Sequence, residues 1–262
     1  MISKRKMKLI RSLELRKKRR EEGLFVGEGP KLVGDLLGVF SCVYLAATEE
    51  WWAQHESFGT SSLIEEREVC SLDELQKASF LMHPQEVIAL FRIPAVSNVE
   101  ASLSTYTHAI EQGLCLALDE VQDPGNLGTI IRLADWFGIE HIFCSLGCAD
   151  VYNPKVVQAT MGALARVQVH SLSLDELLQQ LPSDLPVYGT FLDGEDMYTT
   201  SLSKNGLLLM GNEGNGISPS VAEKITHRLY IPSFPRNRDT SESLNVAIAT
   251  AVACAEFRRR EQ

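Results

Sequence analysis

Three short groups of residues carry the types and spacing that chemistry would need. The first is Gly211-Asn212-Glu213-Gly214-Asn215-Gly216, which follows the apolar run Leu207 to Met210. A buried strand emptying into glycines makes a turn whose backbone can approach a ligand closely and take positive φ. Glu213 is the one ionisable side chain in that turn. The order is not the Gly-x-Gly-x-x-Gly of a dinucleotide site, and no Gly-Lys-Ser/Thr follows as in a phosphate loop. The second group, Asn126-x-Gly128-x-x-x-Arg132, lies in Leu118 to Gly138. The third pairs a short strand, Leu229-Tyr230-Ile231, stopped by Pro232, with a helix expected to begin near Ser243-Leu244-Asn245. Two loops converging beside one helix start would form a pocket.

Taken together, these segments resemble the SpoU (TrmH-type) branch of the SPOUT RNA methyltransferases. Asn126, Gly128 and Arg132 match the first motif of that family, Gly211, Glu213 and Gly216 the second, and Ile231-Pro232 with Ser243-Leu244-Asn245 the third. The resemblance implies transfer of a methyl group from S-adenosyl-L-methionine to a ribose 2'-hydroxyl of structured RNA. It places Arg132 at the reacting hydroxyl, as base or as orienter, with Asn126, Glu213, Ser243 and Asn245 arranging the site. It puts main-chain contacts to the cofactor at Gly211, Ile231 and Leu244. A trefoil knot and a homodimer joined through the last helix are implied in the same way. Between Ile231 and Leu244 the chain is longer than the family pattern: Ser233 to Glu242 lacks the expected glycine and carries Arg236 and Arg238.

The elements around these residues read as two α/β domains. Residues 1–97 resemble the L30e-like substrate-binding domain of the family, and 98–262 its catalytic domain. In the first, strands are expected at Leu24 to Val26, Phe40 to Ala47, Arg67 to Cys70 and Gln85 to Arg92, alternating with helices. Gly27-Glu28-Gly29 resembles the Phe-x-x-Glu-Gly signature and is given no catalytic role. Pro94 to Thr105 has linker composition, with the boundary near Asn98. Beyond it, Leu114 to Leu118, His141 to Ser145, Val167 to His170, Val187 to Leu192 and Leu207 to Met210 alternate with helices and predict a mainly parallel sheet covered on both faces. Asp123 to Asn126 is read as a turn before a helix from Leu127 to Phe137, and another helix is expected from Asn153 to Leu164. The last helix, capped by Ser243, carries Leu244, Ile248, Ala251, Val252 and Ala255 on one stripe.

Composition bounds the partners. The 262 residues are 45% apolar and 23% charged, as in a globular chain, with no run of transmembrane length and no signal-peptide core; a cytoplasmic location is expected. The net charge of -9 hides an asymmetry: residues 1 to 20 hold ten basic side chains against Glu14, about +9, which leaves about -18 on the rest. Such a basic segment suits RNA phosphates. Ile2, Leu9, Ile10 and Leu13 give it an apolar face for docking, leaving Lys4, Lys8, Arg11 and the Arg16 to Arg20 cluster to face RNA. Six scattered cysteines read as reduced thiols, Cys144 and Cys148 being a weak metal candidate, and no metal is assigned. Ribosomal RNA is favoured over transfer RNA by the two-domain layout. The alternatives are a tRNA 2'-O-methyltransferase, a non-catalytic RNA-binding ribosome-assembly protein and, least, a nucleotide-dependent oxidoreductase.

Overall fold

The computed structural model describes residues 1–59, 62–94, 99–235 and 243–260. The expected boundary at Asn98 and the pair Arg236 and Arg238 lie outside them. Contacts divide the chain into two units, Met1–Ala95 with Asp150–Ala165, and Val96–Ala149 with Arg166–Gln262.

The first unit contains α1 (Lys4–Ser12), α2 (Arg16–Glu22), β1 (Leu24–Glu28), α3 (Pro30–Leu36), β2 (Cys42–Ala47), α4 (Glu49–Gln54), α5 (Glu56–Gly59), β3 (Ile64–Val69), α6 (Leu72–Ala78) and β4 (Val87–Arg92). Its sheet runs β1-β4-β2-β3, with β4 antiparallel to both neighbours and β3 parallel to β2. The basic segment docks as expected through Ile2, Ile10 and Leu13, all buried. Its charges behave less uniformly. Arg19 is 1% exposed. Its guanidinium donates to the Leu13 and Glu14 carbonyls at 2.7 and 2.8 Å and to Asp150 Oδ2 at 2.5 and 3.0 Å. It is therefore not part of an RNA-facing cluster, because a planar five-donor group can satisfy two carbonyls and a carboxylate at once. Glu28 is structural: buried, it accepts from Ser79 Oγ and from Phe80 N at 2.9 Å, and burial raises its carboxyl pKa.

The later segment Asp150–Ala165, counted with this first unit, holds α9 (Pro154–Ala159) and a 3-10 turn, Ala163–Ala165. The helix is shorter than expected because Met161 and Gly162 both take positive φ, 52° and 92°, which ends it. Helix α9 packs on β1, and Tyr152 stacks near Phe25 with ring centroids 4.9 Å apart.

In the second unit come α7 (Val99–Gln112), β5 (Leu114–Leu118), α8 (Pro124–Trp136), β6 (His141–Cys144), β7 (Gln168–Ser171), α10 (Leu174–Gln180), β8 (Val187–Asp196), β9 (Gly206–Met210), α11 (Pro219–Ala222), β10 (His227–Tyr230) and α12 (Val246–Arg259). The supposed linker is helical from Val99. The sheet, β10-β8-β9-β5-β6-β7, is parallel at every pair. Its centre, β5 (LCLAL) and β9 (GLLLM), is buried at every residue, as strands covered on both faces must be. The pair runs in register to Leu118 opposite Met210, so the loops after both strands start side by side.

All six cysteines are free and buried; burial pushes the thiols of Cys42, Cys70, Cys115 and Cys254 up to about 12. Among the described residues no helix is long and apolar enough to cross a membrane.

Candidate active site

The glycine loop after β9 is a tight hairpin. Asn212 N donates to Gly216 O and Gly216 N to Asn212 O, both at 2.9 Å. Glycine is required at 211, where a Cβ would lie 2.4 Å from the Gly216 carbonyl carbon, and at 216 the φ of 68° favours it. This closure puts half-buried Glu213 at the hairpin tip.

Helix α8 starts earlier than the sequence suggests. Asp123 caps it, accepting from Asn126 N at 2.8 Å, and Pro124 occupies the first turn, where its missing N–H costs nothing. Asn126 is thereby the third residue of the helix, and its Nδ2 donates to Glu213 Oε1. Its Oδ1 accepts from Asn245 Nδ2 at 3.0 Å. Asn245 Oδ1 in turn accepts from Ala247 N and Ile248 N at 3.0 and 3.3 Å. The cap of α12 is thus Asn245 and not Ser243. Its side chain serves the helix with its oxygen and Asn126 with its nitrogen, something the serine hydroxyl two residues earlier could not do.

One residue from each of the three sequence groups, Glu213, Asn126 and Asn245, therefore forms a single chain of side chains at the carboxyl ends of β5 and β9, where open α/β sheets bind ligands. Gly128 is buried on α8. Arg132, six residues beyond Asn126 on the same helix, is exposed and has no hydrogen bond or ion pair among the described residues. Ile231 follows β10 half-buried, while Ser243 and Leu244 are exposed just before the Asn245 cap. On α12 the expected stripe is the outer one. Val246, Ala247, Thr250, Ala253, Cys254 and Phe257 face inward, whereas Leu244 and Ile248 are 47% and 54% exposed.

Two residues not singled out by motif stiffen the site. Buried Asp119, directly after β5, accepts from Ser218 N at 2.8 Å and so pins the chain beyond the hairpin. Asn212 holds the hairpin itself. An asparagine two residues before a glycine in a turn is the sequence signal for such a role, since its side chain bonds the backbone two residues on. Cys148 Sγ donates to Leu118 O at 3.2 Å, and no group of three His, Cys, Asp or Glu side chains among the described residues could hold a metal ion. A cavity of about 620 Å³ bordered by Glu111, Asp184, Tyr188 and His227 lies elsewhere in this unit, at the amino ends of β8 and β10.

Fold and site define an α/β protein with a ligand site at the carboxyl edge of a parallel sheet, where polar side chains from one hairpin loop and two helix starts converge. The chain belongs to the SpoU rRNA Methylase family, whose model matches residues 113–255, and residues 4–89 match the MRM3-like substrate binding domain. Among curated relatives, the 23S rRNA (guanosine(2553)-2'-O)-methyltransferase RlmP of Bacillus subtilis is 33% identical over 177 residues, 67% of this chain and 65% of that protein. The human mitochondrial rRNA methyltransferase 3 is 28% identical over 187 residues, 70% of this chain and 42% of its own length. The match thus spans less than two thirds of these relatives. Among solved structures, a TrmH-family RNA methyltransferase from Porphyromonas gingivalis is 43% identical, covers 99% of both chains and has a TM-score of 0.83. An AdoMet-bound rRNA methyltransferase from Sinorhizobium meliloti is 28% identical over 100% of this chain and 98% of its own, also with a TM-score of 0.83.

Proposed function

We propose that this protein transfers the methyl group of S-adenosylmethionine to a ribose 2'-hydroxyl of ribosomal RNA. The observation that carries the reading is the Glu213–Asn126–Asn245 chain, which ties the three motif segments together, with Arg132 exposed on the same helix as Asn126. Relatives that act on 23S rRNA and an AdoMet-bound neighbour support it.

The site fits the cofactor in its backbone. At Gly211 the hairpin leaves no room for a side chain, so main-chain groups can meet a ligand directly, above buried Met210 and Ile217. Gly211, Ile231 and Leu244 would hold it. When bound, the cofactor supplies an electrophilic methyl on a sulfonium. The chain must do the rest. A ribose hydroxyl is a poor nucleophile and has to be held in line while its proton is drawn away. Glu213 engages one carboxylate oxygen with Asn126 and keeps the other as an acceptor. The Arg132 guanidinium orients the hydroxyl or its neighbouring phosphate by hydrogen bonding.

RNA capture falls to the basic face of α1 and α2. Lys4, Arg5, Lys8, Arg16 and Arg20 are exposed and unpaired among the described residues, in a chain of net charge -9. Leu244 and Ile248 form the face through which a second copy of the chain would pack, and sedimentation that stays monomeric at micromolar protein would remove the dimer from the reading.

The deciding experiment is incorporation of tritiated methyl into total RNA from a strain lacking the gene, with Arg132→Ala alongside and digestion to locate the label. Label in ribose of ribosomal RNA, lost with Arg132→Ala, is the expected result. Label in a base or in transfer RNA would overturn the assignment of position or of substrate.

A further inference from the structure

The carboxyl ends of β5, β6 and β9 meet at one strained residue. Glu120, the second residue after β5, has a φ of 55°, a left-handed conformation seldom adopted by residues with a side chain. It is held from both sides. Its N–H donates to Ser145 Oγ, just past β6, at 2.9 Å, and its carbonyl accepts from Asn212 Nδ2 at 2.8 Å. The same Asn212 side chain accepts through Oδ1 from Gly214 N and Asn215 N, at 2.8 and 3.0 Å. Every strong hydrogen-bonding direction of that carboxamide but one is therefore used, and all of its bonds are to main chain.

Glu213 is flanked on the chain by Asn212, whose side chain makes these bonds, and by Gly214, whose N–H donates to that side chain. Its carboxylate is the first link of the side-chain sequence through Asn126 to Asn245. Gly211, in contrast, is placed by β9 and by Asp119 N donating to Met210 O at 2.9 Å, bonds that do not involve Asn212. The arrangement separates two tasks: the backbone of the sheet sets where Gly211 lies, and the Asn212 carboxamide sets where Glu213 points.

We propose that Asn212 is a positioning residue for methyl transfer, fixing Glu213 against Asn126 by lacing the glycine hairpin to the strained Glu120. The inference rests on the methyl-transfer reading, and acts through Glu213 with no contact to substrate.

The test uses the full chain as Asn212→Ala, Asn212→Asp and, as a loop control, Asn215→Ala. Three quantities are read: single-turnover methyl transfer to ribosomal RNA from the gene-deleted strain at saturating S-adenosylmethionine, cofactor Kd by calorimetry, and amide exchange at Gly214 and Asn215. With Asn212→Ala, transfer should slow by about tenfold or more, as misplacement of a reacting group does. Cofactor Kd should stay within about threefold, the mark of a contact felt in the reaction and not in binding. The two amides should exchange faster. Asn212→Asp keeps the acceptor but not the donor, so it should retain amide protection and still lose rate; Asn215→Ala should resemble the wild type. Equal loss of rate and cofactor affinity in Asn212→Ala would mean a general structural role and overturn the proposal, as would wild-type rate or unchanged exchange. A wild-type protein that methylates no RNA would count against the function itself, and the exchange at Gly214 and Asn215 would still decide whether Asn212 holds the hairpin.

Discussion

Polar groups are used in opposite ways on the basic face of α1–α2 and at the carboxyl ends of β5 and β9. On the basic face, Lys4, Arg5, Lys8, Arg16 and Arg20 each stand without a partner among the described residues. At the strand ends, Asn126, Glu213 and Asn245 are bonded in series, and Asn212 and Asp119 hold the loops that carry them. Independent surface charges act additively and are screened by salt, which suits capture of a phosphate backbone. Groups bonded in series act as a unit, which suits placement of a reacting atom. Lys6, Arg11, Lys17 and Lys18 of the same two helices are partnered at the surface; the buried Arg19 in the first region and the exposed Arg132 in the second depart furthest, and these two arginines exchange the roles of their surroundings.

The exceptions give the sharpest tests. Arg19→Ala removes the buried partner of Asp150 and leaves the Leu13 and Glu14 carbonyls unmet, so it should destabilise the protein by about 3 kcal/mol or more. Urea unfolding would measure this, and a loss below about 1 kcal/mol would place Arg19 with the free surface cations. Arg132→Ala should do the reverse, leaving the unfolding midpoint unchanged while methyl transfer falls about a hundredfold, the usual cost of removing a hydrogen-bond donor from a reacting group. If stability fell with it, Arg132 would belong to the fold.

Smaller effects test additivity. Replacing Lys4, Arg5 and Lys8 together by glutamine should flatten the salt dependence of RNA binding by about 0.7 to 0.9 in log–log slope per cation, with the transfer rate of bound RNA untouched. A change in rate would show that the two regions are coupled. The smallest effect is expected from a pair of histidines on β6 and β7. His141 Nδ1 and His170 Nε2 lie 3.1 Å apart on β6 and β7, and burial, with His141 adding to it, pushes His170 down to about 4. His141 is lowered by burial too, against the opposing pull of Glu140. The fold keeps both rings neutral, so the unfolded chain binds more protons below its ordinary value of 6.5, and stability should decline as pH falls from about 6.5 towards 4. His170→Gln should flatten that decline in urea midpoints taken at pH 7 and pH 5.

How much of this was legible depends on what each residue had to choose between. Strands β5 and β9 were plain because an apolar run between glycines and polar turns has few other uses in an α/β chain. Glu213, Asn126 and Asn245 were legible as members of motifs. Their bonding order was not, since it depends on Asn126 lying inside α8 and not before it. Ser243 and Asn245 are both good caps, and composition alone could not rank them. Helix α12 is apolar on more than one side, so the stripe through Ile248 and the buried stripe through Thr250 and Phe257 were equally visible, and only packing against α8 selects between them. Arg19 sits in a run of identical charges; nothing local distinguishes the one that meets Asp150, 131 residues away. The polar start of α7 reads as a linker because its helical periodicity emerges only with Leu103 and Tyr106, which pack on the core below.

The stretch Asp150–Ala165 has a consequence for how such a chain could arise. It is encoded between β6 and β7, yet it completes the amino-terminal unit, covering β1 with α9 and giving Phe25 its Tyr152 neighbour. A gene fusion joining two finished domains end to end at residue 97 would not produce it. Swapping either half for that of a distant relative would strand a piece of one unit inside the other, so the two are expected to be inherited together and to tolerate recombination only when the exchanged block carries this stretch along with the first 95 residues.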